Sequence, residues 1–101
     1  MDINRARELI SPKMAAYVVH ETNGNIEDAR QYAIEVSMLI GFIRGRCKDE
    51  RSDDCVLLHE ILQCVFGRDV RRLEFLQVQW AKFRKGLPWA VTTKPKLRSV
   101  K

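Results

Sequence analysis

The chain has 101 residues and a formal net charge of +5, a length that suits one domain with a single core and leaves no room for a second. Its composition, 46% hydrophobic and 31% charged, is that of a folded soluble protein. The longest uncharged apolar run, MLIGFI (38–43), is too short to cross a bilayer, so no membrane association is expected.

The N-terminal sequence MDINRARELI carries charges where a signal peptide has an apolar stretch, which predicts a cytoplasmic protein. Three cysteines, an odd number, favour free thiols or metal ligands over a disulfide framework.

Apolar residues recur at steps of three and four, which predicts helices throughout. Asp2 can cap a short first helix, and Ser11 followed by Pro12 is typical of the start of a second. This second helix is expected to stop at Asn23-Gly24, because glycine tolerates the left-handed conformation that ends helices.

A long third helix is predicted from Asn25 onward. Helical spacing continues through Ile34, where the turn of a helix-turn-helix would place glycine, so one unbroken helix is expected. Its apolar residues form a seam for packing against other helices: Ile26, Ala29, Ala33, Val36, Ile40, Ile43 and Cys47. Gly41 and Gly45 are expected to let a neighbouring helix approach closely.

Two more helices follow the charged segment 48–54. The fourth, CVLLHEILQCVF, ends at Gly67, and the fifth, VRRLEFLQVQWAKFRK, is capped by Asp69 and ends at Gly86. Leu87-Pro88-Trp89 is then predicted to be an extended turn. The predicted fold is all-α: a compact bundle of four to five helices over residues 1–91, with an extended basic C-terminal arm at 92–101.

Charge is distributed unevenly along the chain. The last 27 residues hold seven Lys or Arg and no Asp or Glu, whereas the first 74 hold eleven basic and thirteen acidic residues. Such an asymmetry indicates a polyanionic partner or an acidic protein surface.

The first hypothesis is therefore non-specific or shape-dependent binding of DNA or RNA, with cations of the last helix and arm on phosphates and Trp89 stacking on a base. The residues assigned to it are Arg71, Arg72, Lys82, Arg84, Lys85, Trp89, Lys94, Lys96 and Arg98. In the alternative interpretation of the same residues, the cations complement a helix dipole and Trp89 packs back on the bundle.

The second hypothesis is a non-enzymatic adaptor or inhibitor, of the kind that viruses and mobile elements encode, that docks its basic C-terminus on an acidic protein. A homodimer is compatible with both hypotheses. No nucleophile motif, paired carboxylate signature or phosphate-binding glycine loop is present, so no enzyme and no cofactor are predicted.

The candidate ligands for a zinc site are Cys47, Cys55, His59 and Cys64, which fall within 18 residues. Cys55 and His59 stand at i and i+4 and share a helix face. Cys64 points about 140° away from His59 around a 3.6-residue helix, and there is no C-x2-C pair. Buried free cysteines and a partly exposed histidine are the favoured interpretation, with no metal.

Overall fold

A computed structural model describes residues 2–46 and 53–91 of the chain. These residues form four helices: α1 (Ile3–Thr22), α2 (Ile26–Arg46), α3 (Asp53–Gly67) and α4 (Val70–Arg84). No strand occurs in the two described ranges, and the predicted all-α bundle is confirmed. None of the four helices is both long enough and apolar enough to span a membrane.

The division predicted at Ser11-Pro12 is wrong, because α1 runs unbroken through Pro12. Asp2 does cap this helix, with its carboxylate accepting a hydrogen bond from the Arg5 backbone N–H at 2.8 Å. An interior proline costs about 3 kcal/mol. Ile10 and Met14, on either side of it, are fully buried, and each stabilises the continuous helix by about 1.5–3 kcal/mol relative to an exposed position.

The turn between α1 and α2 has the predicted position. Gly24 adopts a φ of +79°, and the Asn25 N–H donates to the His20 carbonyl at 2.8 Å, which closes the end of α1 as a Schellman motif. The second helix then continues through Ile34 without interruption, as expected. Because the turn is short, α1 and α2 form an antiparallel pair. The Lys13 ammonium of α1 donates a hydrogen bond to the Glu35 carboxylate of α2 at 2.5 Å.

The core lies between all four helices. In α2, four of the predicted seam residues are buried: Ala29, Val36, Ile40 and Ile43. Cys47 lies outside the described residues. Ile26 departs from the prediction and is 43% exposed, because it stands in the first turn of α2, at the open end of the seam. Fully buried large side chains from the other helices complete the core: Ile10, Met14, Leu57, Leu58, Ile61, Leu73, Leu76 and Trp80.

Gly41 and Gly45 do not serve the close approach expected of them. A Cβ atom placed on either glycine would meet nothing within 4 Å beyond the backbone of its own helix and its chain neighbours. Among the described residues, α3 borders a hollow beside these glycines and does not come into close contact with them.

Candidate nucleic-acid interface

The fourth helix presents one buried and one exposed face. Asp69 begins it, with its carboxylate accepting from the Arg72 N–H at 3.1 Å, and Leu73, Leu76 and Trp80 anchor it in the core. Of the five basic residues predicted here, four are exposed and make no ion pair with another described residue: Arg71, Lys82, Arg84 and Lys85. These four side chains are available to a ligand.

Three of the four cations share one side of the helix. Arg71, Lys82 and Lys85 lie within about 60° of one another around a 3.6-residue helix, over a length of about 21 Å. The row is not uniformly basic, because Glu74 and Val78 are exposed between them on the same side. Lys82 and Arg84 also lie in the last turn, where they complement the negative end of the helix dipole.

Arg72 differs from the other cations. It is half-buried, forms an ion pair with Glu60 of α3 at 3.1 Å and donates to the carbonyl oxygen of Val91. Its guanidinium also partly offsets the rise in the pKa of Cys64 that burial causes. The structure therefore gives Arg72 an internal role, and its predicted contact with phosphate would compete with these bonds.

Residues 87–91 fold back along α4. Gly86 has a φ of +76° and reverses the chain, with the Leu87 N–H donating to the Lys82 carbonyl at 2.8 Å. The Ala90 N–H then donates to the Gln79 side-chain oxygen at 3.0 Å, and Val91 reaches Arg72. Residue 91 thus lies within reach of the Arg72 side chain, which comes from the first turn of α4.

Trp89 is half-buried in this fold-back segment (87–91). It packs against Phe83 in a T-shaped arrangement with ring centroids 6.0 Å apart, and Phe83 in turn packs on Trp80. Packing of Trp89 on the bundle, the alternative interpretation of the sequence, is therefore what the structure contains. Base stacking by the remaining exposed part of the ring stays a prediction.

Lys94, Lys96 and Arg98 lie outside the described residues, as does Lys101. In the sequence, Lys94 follows Val91 by three positions. The arm predicted at 92–101 follows Val91, whose carbonyl oxygen accepts a hydrogen bond from Arg72.

The described residues of the candidate zinc site differ in burial. Cys55 and Cys64 are buried, as the favoured interpretation expected, and burial raises the pKa of Cys64. His59 is exposed and hydrogen-bonded to Gln63 at 3.0 Å, and Cys47 lies outside the described residues. Within residues 2–46 and 53–91, no three His, Cys, Asp or Glu side chains are grouped so that they could hold a metal ion.

Two features of the structure, one on α4 and one on α2 and α3, were missed from the sequence. The first is Gln79, which is buried and holds the fold-back segment through its hydrogen bond with Ala90. Its place between Leu76 and Trp80, within the apolar stripe of α4, was the sequence signal for a buried polar side chain. Phe66 and Met38 are each 69% exposed. Phe66 shares its side of α3 with His59 and Gln63, whose polarity marks that side as external.

A scan against protein-family models and searches of curated proteins and of solved structures found no match to this chain. Charge, burial and geometry are the observations that bear on its function.

Proposed function

We propose that this chain is a small, non-enzymatic nucleic-acid-binding accessory protein that contacts phosphates through the exposed face of α4 and the basic C-terminal arm. The carrying observation is that Arg71, Lys82, Arg84 and Lys85 are exposed and make no ion pair within the described chain, on the same helix that Arg72 links to Val91. Cations that are not engaged in ion pairs within the protein can neutralise the phosphates of a nucleic acid.

In this mechanism a strand lies along α4, with Lys82 and Lys85 at one end and Arg71 at the other. The arm adds Lys94, Lys96 and Arg98, which follow in the sequence on Val91, the residue that Arg72 holds against the bundle. Contacts of this kind position a nucleic acid without reading its bases, so binding is sequence-independent or follows shape.

The first experiment is a salt titration of binding to duplex and single-stranded DNA and RNA by fluorescence anisotropy. We expect a log-log slope of about −4 to −7, from roughly six to eight phosphate contacts. Replacing Lys94, Lys96 and Arg98 together by Ala should flatten the slope by about 2 to 3 and weaken binding equally across sequences.

Glu74 supplies a test on a described residue. Its carboxylate lies within the row of cations and repels phosphate, so Glu74→Gln should tighten binding severalfold at low salt. Glu8→Gln removes the same charge from the exposed side of α1 and is the matched control. An equal gain from both variants would indicate only a response to net charge.

The competing function is docking of the same cations on an acidic protein surface. If micromolar nucleic acid of every type fails to bind at low ionic strength, the nucleic-acid proposal is wrong and the adaptor or inhibitor becomes the leading hypothesis. Co-purification from cells with and without nuclease treatment separates the two functions directly.

A further inference from the structure

An apolar surface lies on the side of the bundle formed by α2 and α3. Ile34 and Met38 of α2 are 48% and 69% exposed, and Phe66 of α3 is 69% exposed. Two adjoining hollows meet at Ser37 and Phe66: one reaches Arg30 and Ile34, and the other reaches Gly41 and Gly45. Large apolar groups and unfilled hollows side by side are typical of a protein-binding surface.

From this surface we infer that α2 pairs with α2 of a second copy of the chain, antiparallel, about a two-fold axis near Ser37 and Met38. The first half of the exposed stripe carries Arg30 and Ile34, and the second half carries Gly41 and Gly45. In an antiparallel pair centred there, each Ile34 faces Gly41 of the other copy, and each Arg30 faces Gly45.

The glycines make this fit sterically possible. A Cβ atom at Gly41 or Gly45 would meet no described atom within 4 Å outside its own helix, so residues 2–46 and 53–91 leave the space above each open to an incoming side chain. Small residues let two helix backbones approach closely, and a two-fold interface uses the same patch on both copies. Large residues in one half of α2 thus match small residues in the other half.

Charge selects the same direction of pairing. The first turn of α2 carries Glu27 and Asp28, and its last turn carries Arg44 and Arg46. Antiparallel packing brings Glu27 within four residues, about 6 Å of axial distance, of Arg44 in the second copy, twice per dimer. In the same register Arg44 of the second copy stands about level with Arg30, and Glu27, one turn further along, offsets part of their repulsion. A parallel pair would instead join like charges at both ends.

The experiment is sedimentation of the full chain over roughly a hundredfold range of concentration, since dimerisation follows mass action. We expect a species of twice the 11.8 kDa chain mass at high concentration. Met38→Glu and Gly41→Leu should each shift the dimer dissociation constant upward at least tenfold. Gly41→Leu should leave the monomer folded, because it adds a better helix former in open space. Val78→Glu, at an exposed apolar residue of α4, is the matched control and should leave dimerisation unchanged.

Charge reversal tests the direction of pairing. Glu27→Arg should weaken the dimer, because in the antiparallel pair it places a third cation beside Arg30 and Arg44 of the second copy. In a parallel pair the same change would only replace one like-charged pair by another and should have little effect. A chain that stays monomeric at every concentration would overturn the inference. So would a dimer that Met38→Glu and Gly41→Leu leave intact, or monomers that bind only an acidic helix from another protein.

Discussion

Tyr17 is the residue that joins α1 to α3 in the core. It is 2% exposed, and its hydroxyl donates to the Val65 carbonyl at 3.3 Å. Burial raises the pKa of Tyr17, the nearby Glu21 carboxylate raises it further, and the Arg68 guanidinium lowers it. Because the folded pKa is raised, this group stabilises the fold fully below its unfolded pKa of about 10 and loses that contribution as the pH rises above it.

We predict that absorbance titration of the Tyr32→Phe variant, which leaves Tyr17 as the remaining tyrosine, gives a pKa above the ordinary value. Glu21→Gln should lower this pKa and Arg68→Gln should raise it, because the two charges act in opposite directions. Shifts of the same sign in both variants would show that loosened packing, and not charge, controls the ionisation.

At the residue scale, spacing predicts burial well where a side chain is apolar and stands in mid-helix. Val36, Ile40 and Ile43 were found in this way. Gln79 and Trp89 were not, because their environment depends on a contact between α4 and a segment without helical periodicity. The candidate zinc ligands show the same limit of sequence spacing. Cys55 and His59 stand one turn apart on one side of α3, yet Cys55 is buried and His59 is exposed.

At the scale of elements, Pro12 shows tertiary packing overriding a local signal. Ser-Pro is a sound helix start, but the fully buried Ile10 and Met14 hold both halves of α1 in one line. All other predicted helix ends agree with the structure to within about two residues, since Gly24, Gly67 and Gly86 each stand at or beside one.

We predict that Pro12→Ala stabilises the protein by about 1–3 kcal/mol, because it restores a helical hydrogen bond at an exposed position. Urea unfolding followed by circular dichroism measures the change. If Pro12 were instead the first residue of a separate helix, alanine would bring no such gain, and a lowered midpoint would contradict the continuous α1.

The fold-back segment leads to a prediction about where the chain can be cut. Ending the chain after Val91 should leave the melting temperature nearly unchanged, because the contacts of residues 87–91 are retained. Ending it after Gly86 removes Trp89 and takes the Ala90 N–H away from the buried Gln79 side chain, which should cost about 2–4 kcal/mol. Thermal unfolding of the two truncated chains compares them directly; equal stability would show that the segment adds nothing to the fold.

At the scale of the whole molecule, the sequence predicts the class of fold because helical periodicity is local, and it predicts a basic C-terminus because charge is additive. It could not show where the basic arm begins, since that depends on the reversal at Gly86 and the bonds at Gln79 and Arg72. Nor could it show that Gly41 and Gly45 face outward, since this depends on which sides of α2 the other helices cover.

The two proposed surfaces lie apart. Among the described residues α2 contacts α1 and α3 but not α4, so a dimer formed through α2 leaves the basic face of α4 open on each copy. We predict that Met38→Glu leaves binding to a strand of about 12 nucleotides unchanged, because one basic face suffices for that length. On a duplex long enough to reach both faces, wild-type protein should bind about 100-fold more tightly than Met38→Glu, through the effective concentration of the second site. Anisotropy with the two probes, at a protein concentration where the wild type is dimeric, measures both effects. If Met38→Glu weakened binding equally on both probes, Met38 would belong to the nucleic-acid site itself. If wild type and Met38→Glu bound the long duplex with equal affinity, the two basic faces of the dimer could not engage one duplex together.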